Sequence, residues 1–121
     1  MADQKGRGTR AENAVADELG ALGYDVIRSA ASKGAADLVA VHDGEILFVQ
    51  VKLRPPDKPI AMPTPTERRE LFLIAERCGG IAVCAFRIPG AGRRPAETHY
   101  RVLTGHGAKQ WDDWDPAGDA P

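Results

Sequence analysis

Apolar residues near the amino terminus recur at the spacing of a helix. Val15 and Leu19 fall on one stripe, and Thr9 stands three residues before Glu12, the spacing of a capping box at a helix start. A glycine directly after the stripe supplies the residue that commonly follows a last helical turn. The pattern predicts a first helix from about Thr9 to Leu22, preceded by a basic, flexible lead-in.

Strand-like patterns follow. The side chains of residues 24–30 fit the two-sided alternation of a strand, and two further strand-like runs cover residues 37–42 and 45–52. Asp43-Gly44 between the two runs is a strong signal for a two-residue hairpin turn. The sequence therefore predicts three strands after the first helix, the last two of them as a hairpin.

The length of the hairpin loop decides which side chains of the hairpin meet. With a loop of two or four residues, the numbers of each cross-strand pair sum to 87, and Asp37 faces Gln50. Lys52 lies two residues beyond Gln50 and shares its face. A three-residue loop with a glycine bulge would shift the register by one, put Asp37 opposite Val49 and scatter these polar groups.

The second half of the chain predicts one more helix and two more strands. A loop with five prolines covers residues 53–65, and Thr64-Pro-Thr-Glu67 combines a capping box with proline at the first helical position. The predicted elements are a helix from Pro65 to about Cys78, a strand over residues 81–86, a glycine-rich turn over 89–95 and a strand over 98–103. The order helix, strand, strand, strand, helix, strand, strand predicts an α/β sandwich with a central mixed sheet.

Composition limits the organisation and the partners. The chain has 121 residues, 43% of them hydrophobic, and a net charge of −1, which suits one compact domain. We take residues 1–107 as this domain and residues 108–121 as an acidic tail that contains both tryptophans. One lysine against four aspartates gives the tail a net charge of −3, which leaves +2 for the body, a balance compatible with nucleic acid. The tryptophans are expected to dock on the body or on a partner subunit, or else the end is disordered.

Several function classes are excluded by what the sequence lacks. The two cysteines, Cys78 and Cys84, are too few for a disulfide framework or a zinc site, and no charged-then-apolar leader opens the sequence. No apolar stretch approaches the roughly 20 residues that a membrane span needs. We expect a cytoplasmic protein of a prokaryotic cell or a phage-infected host, with no membrane function.

Glu12 is the first candidate functional residue. It shares a helix face with Val15 and Leu19, so its carboxylate points toward the core. One interpretation is that Glu12 is only the acid of the capping box. The other is that a cation or a metal relieves the desolvation of its carboxylate.

The hairpin carries the other candidates. Asp37, Gln50 and Lys52 interrupt one end of an otherwise apolar face. Taken singly, each has a structural explanation: a cap at a strand start, an edge hydrogen bonder and a lysine that reaches solvent from a strand end. Three such residues at one end of the face are better explained as a site.

These residues resemble the signature of the PD-(D/E)xK nuclease superfamily. Asp37 is followed after twelve residues by Gln50-Val51-Lys52 and preceded by a helical Glu12. Within the superfamily, the sequence most resembles the archaeal-type Holliday junction resolvases in residues 5–12, 23–32 and 37–40. The resemblance covers about residues 5–88 and implies a restriction-endonuclease-like sandwich.

The resemblance implies a role for each matching residue. It implies that Glu12 and Asp37 hold a divalent metal, Mg²⁺ with Mn²⁺ as a substitute, that the backbone carbonyl of Val51 can add a ligand, and that Lys52 positions or deprotonates the attacking water. It places Ser32 and Arg28 at the rim of the active site, for strand cleavage and phosphate contact. The residues expected to contact DNA are Lys5, Arg7, Arg10, Arg28, Lys33 and Arg54; for Arg54, a plain linker with solvated charges is the alternative.

Gln50 departs from the superfamily pattern, which calls for an acid at this position. The site loses one formal negative charge, although an amide oxygen can still coordinate a hard cation such as Mg²⁺. We therefore expect a weakened or substrate-assisted metal site. The leading hypothesis is a metal-dependent endonuclease that resolves four-way DNA junctions as a homodimer, because a junction needs two symmetric cuts. The alternatives are a nuclease for flap or duplex DNA and a non-catalytic DNA-structure binder.

Overall fold

The fold is a six-stranded mixed sheet with one helix on each face. The computed structural model describes residues 3–28 and 35–118, with side chains from residue 9 onward. The elements are α1 (Asp3–Ala21), β1 (Asp25–Arg28), β2 (Leu38–His42), β3 (Glu45–Leu53), α2 (Pro65–Arg77), β4 (Ile81–Ile88), β5 (Glu97–Leu103) and β6 (Trp111–Trp114). The strands lie side by side in chain order. β3 and β4 are parallel, and the other neighbours are antiparallel. The α/β sandwich with a mixed sheet is confirmed.

The sheet separates two hydrophobic cores, one on each of its faces. Val15 and Leu19 of α1 pack on one face, and Leu71 and Ala75 of α2 pack on the other. Successive strand residues alternate between the two cores, as the pleat requires. The α1 core includes Leu38, Ala40, Leu47, Val49, Val83 and Ala85, and the α2 core includes Phe48, Ala82, Cys84, Phe86 and Leu103.

The predicted hairpin register is confirmed. β2 and β3 pair from His42 with Glu45 to Leu38 with Val49, so the numbers of each pair sum to 87. Asp43 and Gly44 have φ values of 46° and 82°, the left-handed backbone that a tight two-residue hairpin turn needs. The shifted register with a glycine bulge is therefore wrong.

The connection from β3 to β4 places the start of α2 beside the end of β3. Because these strands are parallel, the helix between them runs back along the sheet, and its amino terminus lies near the carboxyl end of β3. The predicted capping box is present: the Thr64 hydroxyl accepts the Glu67 N–H, and the Glu67 carboxylate accepts the Thr64 N–H. None of the described helices is long and apolar enough to cross a membrane.

The start of the first helix differs from the prediction. α1 begins at Asp3, six residues before Thr9, so the flexible lead-in and the capping box at Thr9 are both wrong. Each glycine of the lead-in costs a helix about 1 kcal/mol but, unlike proline, leaves the backbone hydrogen bonds intact. Thr9 and Glu12 lie inside the helix, so Glu12 is not a capping acid.

Two strand predictions are also corrected. β1 is described from Asp25 to Arg28, shorter at its start than predicted, while residues 29 and 30 lie outside the described residues. The predicted element order omitted β6, which pairs with β5 from Tyr100 opposite Trp114 to Leu103 opposite Trp111. The Trp114 ring meets Tyr100 edge-on at 5.8 Å, so its indole docks on the body.

Candidate active site

A gap opens between β2 and β3 where the hairpin ladder ends. The last pair is Leu38 with Val49, and β3 continues to Leu53 with only β4 as its neighbour among the described strands. The Val51 N–H, which points toward the β2 side, donates to Asp37 Oδ2 at 2.8 Å. A side-chain carboxylate thus satisfies a backbone donor that the ladder no longer pairs.

Four of the five predicted catalytic residues, Glu12, Asp37, Gln50 and Lys52, surround this gap. A cavity of about 370 Å³ is lined by Glu12, Ala35, Asp37, Gln50, Val51, Lys52, Glu67 and Glu70. Glu12 comes from α1, and Asp37 directly precedes β2. Gln50 and Lys52 continue the face of β3 that carries Phe48 and contacts α2. The structure therefore brings Glu12, Asp37, Gln50, Val51 and Lys52 together at one place.

Glu67 is a site residue that the sequence analysis missed. Its Oε2 accepts hydrogen bonds from Lys52 Nζ at 2.8 Å and from Gln50 Nε2 at 3.2 Å. Its Oε1 accepts the Thr64 N–H at 3.0 Å. The carboxylate that caps α2 is therefore also the partner of both polar residues on β3. The capping-box pattern already explained Glu67, so its contact with Lys52 and Gln50 was not predicted. The available signal was that a helix between two parallel strands begins near the carboxyl end of the first strand, where Lys52 lies.

The charges around the cavity favour a cation. Among the described residues that line it, four carry carboxylates, Glu12, Asp37, Glu67 and Glu70, and one, Lys52, carries a basic group. The negative charge that Gln50 does not supply is thus more than replaced from α2. A concave site of this sign attracts a divalent cation.

The environments of two carboxylates separate their pKa values. Burial raises the pKa of Asp37 above its ordinary value, although the Val51 N–H and the charge of Lys52 oppose the shift. Burial acts in the same direction on Glu67, but hydrogen bonds from Lys52 and Thr64 outweigh it and hold the pKa of Glu67 below its ordinary value. Glu67 therefore stays ionised more readily than Asp37.

The oxygen donors at the cavity suit a hard divalent cation. Gln50 Oε1 is buried and has no hydrogen-bond partner among the described residues, so this oxygen is available to coordinate a cation. Among the described residues, no cluster of three or more His, Cys, Asp or Glu side chains is placed to bind a metal ion. Mg²⁺ does not require one, because it usually takes one or two carboxylates and keeps several waters. Glu12, Asp37 and the amide oxygen of Gln50 are the residues that could hold it.

The predicted DNA-contacting residues lie at different distances from this cavity. Arg28 is at its rim, where Nη2 lies 3.1 Å from Glu12 Oε1 and Nη1 donates to Asn13 Oδ1. Arg10 and Arg54 line a neighbouring groove of about 730 Å³. The side chains of Lys5 and Arg7, in the first turns of α1, lie outside the described structure, as do Ser32 and Lys33 entirely.

Comparison with known proteins agrees with the resemblance in the sequence. Residues 3–103 match the family model for the archaeal Holliday junction resolvase (Hjc). A similar solved structure is that of Hjc from Archaeoglobus fulgidus, a Holliday junction resolvase from an archaeal hyperthermophile; it is 28% identical, with a TM-score of 0.61 over 79% of this chain and 70% of that one. No curated protein matches significantly. The chain belongs to the archaeal Holliday junction resolvase family, a family of nucleases.

Proposed function

We propose that the chain is a metal-dependent endonuclease that resolves four-way DNA junctions. The observation that carries the proposal is the convergence of Glu12, Asp37, Gln50 and Lys52 on one cavity at the end of the hairpin ladder. Family membership supports the substrate, and the donor set supports Mg²⁺, with Mn²⁺ as a substitute. Residues 1–107 would carry the site, while Trp111–Trp114, in the acidic tail, form the edge strand of the sheet.

The residues can be given separate tasks in phosphodiester hydrolysis. A bound divalent metal would polarise the phosphoryl oxygen and make water a better nucleophile. Glu12, Asp37 and Gln50 would hold the metal, with the Val51 carbonyl as a further oxygen. Lys52, hydrogen-bonded to Glu67, would place its amino group beside the attacking water and the scissile phosphate, as a base in its neutral form or as an electrostatic clamp in its protonated form.

The groove next to the cavity offers a path for the DNA backbone. Arg10 stands two residues before Glu12, and Arg54 stands two residues after Lys52, so both arginines adjoin the proposed catalytic residues. The described residues that line this groove include three arginines and no acid. Arg87 is ion-paired with Glu18 and Arg54 stacks on Phe86, which leaves Arg10 as the exposed arginine of the three. Guanidinium groups in such a groove suit phosphate contacts, which position a nucleic acid without reading its sequence. From the family resemblance we also propose Lys5, Arg7, Arg28 and Lys33 as DNA contacts and Ser32 as a residue that contributes to strand cleavage.

A homodimer follows from the substrate. Resolution of a junction needs two symmetric cuts, and the described residues of one chain form one such site. A C₂ pair would present two sites related by the symmetry of the junction. Cellular or phage DNA as substrate also places the enzyme in the cytoplasm.

Cleavage of matched DNA structures tests the proposal. A synthetic four-way junction, a flap and a linear duplex of the same arm sequences are each incubated with the protein in Mg²⁺ and in EDTA. We expect paired, symmetric nicks in the junction in Mg²⁺ only, with much slower cutting of the flap and the duplex. Faster cutting of the flap or the duplex would assign another nuclease substrate, and binding without cutting under any divalent metal would contradict the proposal.

A further inference from the structure

The contact between Glu67 and Gln50 fixes which end of the Gln50 amide faces the rest of the cavity. A carboxylate can only accept hydrogen bonds, so the NH₂ end of Gln50 turns toward Glu67 Oε2, at 3.2 Å. The carbonyl oxygen, Oε1, then points away from Glu67, and it is the buried oxygen without a protein partner. Only this end of an amide can bind a cation.

Lys52 is held by the same oxygen. Its Nζ lies 2.8 Å from Glu67 Oε2, and both side chains are partly buried, with 26% and 34% of their surface exposed. One carboxylate oxygen thus orients the two β3 side chains that follow the hairpin ladder. It also supplies the negative charge that an acid at position 50 would have carried.

We propose that Glu67 is a positioning residue that turns the amide oxygen of Gln50 toward the metal and holds Lys52 in place. The proposal rests on the proposed function, because it assigns Glu67 a role at the same metal site. In this proposal, the pair of Gln50 and Glu67 is equivalent to the single acid of the superfamily pattern. The Gln50 amide provides the ligand oxygen, and the Glu67 carboxylate on α2 provides the negative charge.

Helix capping is a second role of Glu67, and it can be separated from the first. Glutamine at the third helical position serves a capping box as glutamate does. In a Glu67→Gln variant, the side-chain oxygen can still accept the Thr64 N–H, but the NH₂ group then faces Gln50 and Lys52. Gln50 would be expected to turn its oxygen toward this new donor and present its own NH₂ group to the metal position.

Calorimetric titration of the DNA-free protein with Mn²⁺ tests the proposal without relying on cleavage. We compare Glu67→Gln, Gln50→Glu and the double variant that carries both, with Glu76→Gln, an exposed acid at the far end of α2, as the matched control. Thermal melting without metal shows whether the capped helix is preserved.

The expected outcome is a pattern across the variants. Glu67→Gln should weaken Mn²⁺ binding by about ten- to a hundredfold, as loss of a metal-orienting partner typically does. Gln50→Glu alone should not strengthen binding in proportion to its added charge, because two carboxylates then face each other. The double variant exchanges the two groups, keeps their hydrogen bond and should bind Mn²⁺ at least as tightly as the wild type.

The opposite outcomes would overturn the proposal. A folded Glu67→Gln variant with wild-type Mn²⁺ affinity would show that Glu67 only caps the helix. A double variant as weak as Glu67→Gln would show that the orientation of the pair is irrelevant. In both cases a wild type that binds Mn²⁺ and cuts junctions leaves the proposed function standing, whereas a wild type that binds no metal overturns the proposed function and this inference together.

Discussion

The carboxylate of Asp37 accepts the backbone N–H of Val51 at 2.8 Å and so joins β2 to β3 beyond their last ladder pair. The same carboxylate lines the cavity and is one of the proposed metal ligands. Asp37 therefore has a structural role and a chemical role, and the two can be separated by substitution.

Asp37→Asn should abolish cleavage without loss of stability. The asparagine oxygen can still accept the Val51 N–H, while the buried charge is removed. Burial raises the pKa of Asp37, so the folded chain disfavours its ionised form, and the stability that this group contributes is lost as the pH rises through its folded pKa. At pH 7 in EDTA, the melting temperature of the variant should equal or exceed that of the wild type.

Asp37→Ala is the control for this prediction. It removes the acceptor and leaves the Val51 N–H unpaired, which should cost about 1–3 kcal/mol of unfolding free energy. If Asp37→Asn were destabilised as much as Asp37→Ala, the carboxylate charge would be stabilising the fold and the interpretation would be wrong.

Arg10→Gln should make junction binding weaker and less dependent on salt. Arg10 is exposed and lines the basic groove beside the cavity. If it contacts one phosphate, its loss should lower the slope of log affinity against log salt by about 0.9. Fluorescence anisotropy from low to moderate salt measures this slope. Arg77→Gln, at the last turn of α2, is the control and should leave the slope unchanged. Equal slopes for the wild type and both variants would show that Arg10 does not contact the DNA.

Alkaline pH should destabilise the fold through two buried groups. Burial raises the pKa of Cys84 to about 12, and burial together with the hydrogen bond to Glu18 Oε1 at 2.7 Å raises that of Tyr100. In the unfolded chain these groups ionise near their ordinary pKa values of about 8.5 and 10. The unfolded state therefore releases protons that the folded state retains, and the free energy of unfolding falls as the pH rises above about 8.5.

Urea denaturation at several pH values checks this effect. The decline should be shallower above pH 10 in Tyr100→Phe than in the wild type, whatever the absolute stability of the variant. Parallel curves for the two proteins would mean that Tyr100 does not retain its proton in the folded state.

Two glycines should respond in opposite ways to alanine. A Cβ at Gly80 would lie 2.7 Å from Phe48 Cε2 and 2.8 Å from the Ile46 carbonyl oxygen, which the sheet backbone holds in place. Gly80→Ala should therefore cost about 1–3 kcal/mol of stability, as overpacking does. Gly20, in α1, has no heavy atom within 4 Å of such a Cβ, and Gly20→Ala should add about 0.5–1 kcal/mol. Chemical denaturation of both variants measures these changes, and a neutral Gly80→Ala would contradict the close approach of Gly80 to Phe48.

Local signals in the sequence predicted the hairpin and the second helix. Asp43-Gly44 determined the register, because left-handed backbone at both positions permits the tight turn. Thr64 and Glu67 marked the start of α2 through a capping interaction within four residues. With the register known, the alignment of Asp37, Gln50 and Lys52 followed from the alternation of side chains along strands.

Features that depend on contacts outside their own segment were missed. β6 has two aspartates between its tryptophans, a poor strand pattern, and it forms because β5 pairs with it and Arg101 stacks on Trp111 at 3.7 Å. Glu67 was assigned to capping alone because its local motif was already satisfied. Its contact with Lys52 depends on where α2 crosses the sheet, which no short pattern specifies.

The most direct test of the central claim is the single-turnover cleavage rate of one four-way junction by four variants in Mg²⁺, with protein in excess. Glu12→Gln, Asp37→Asn, Gln50→Ala and Lys52→Ala each change one side chain around the cavity. We predict that Asp37→Asn and Lys52→Ala lower the rate by at least about a hundredfold, that the other two lower it measurably, and that junction affinity changes little. Wild-type cleavage by either Asp37→Asn or Lys52→Ala would show that the reaction takes place elsewhere on the molecule.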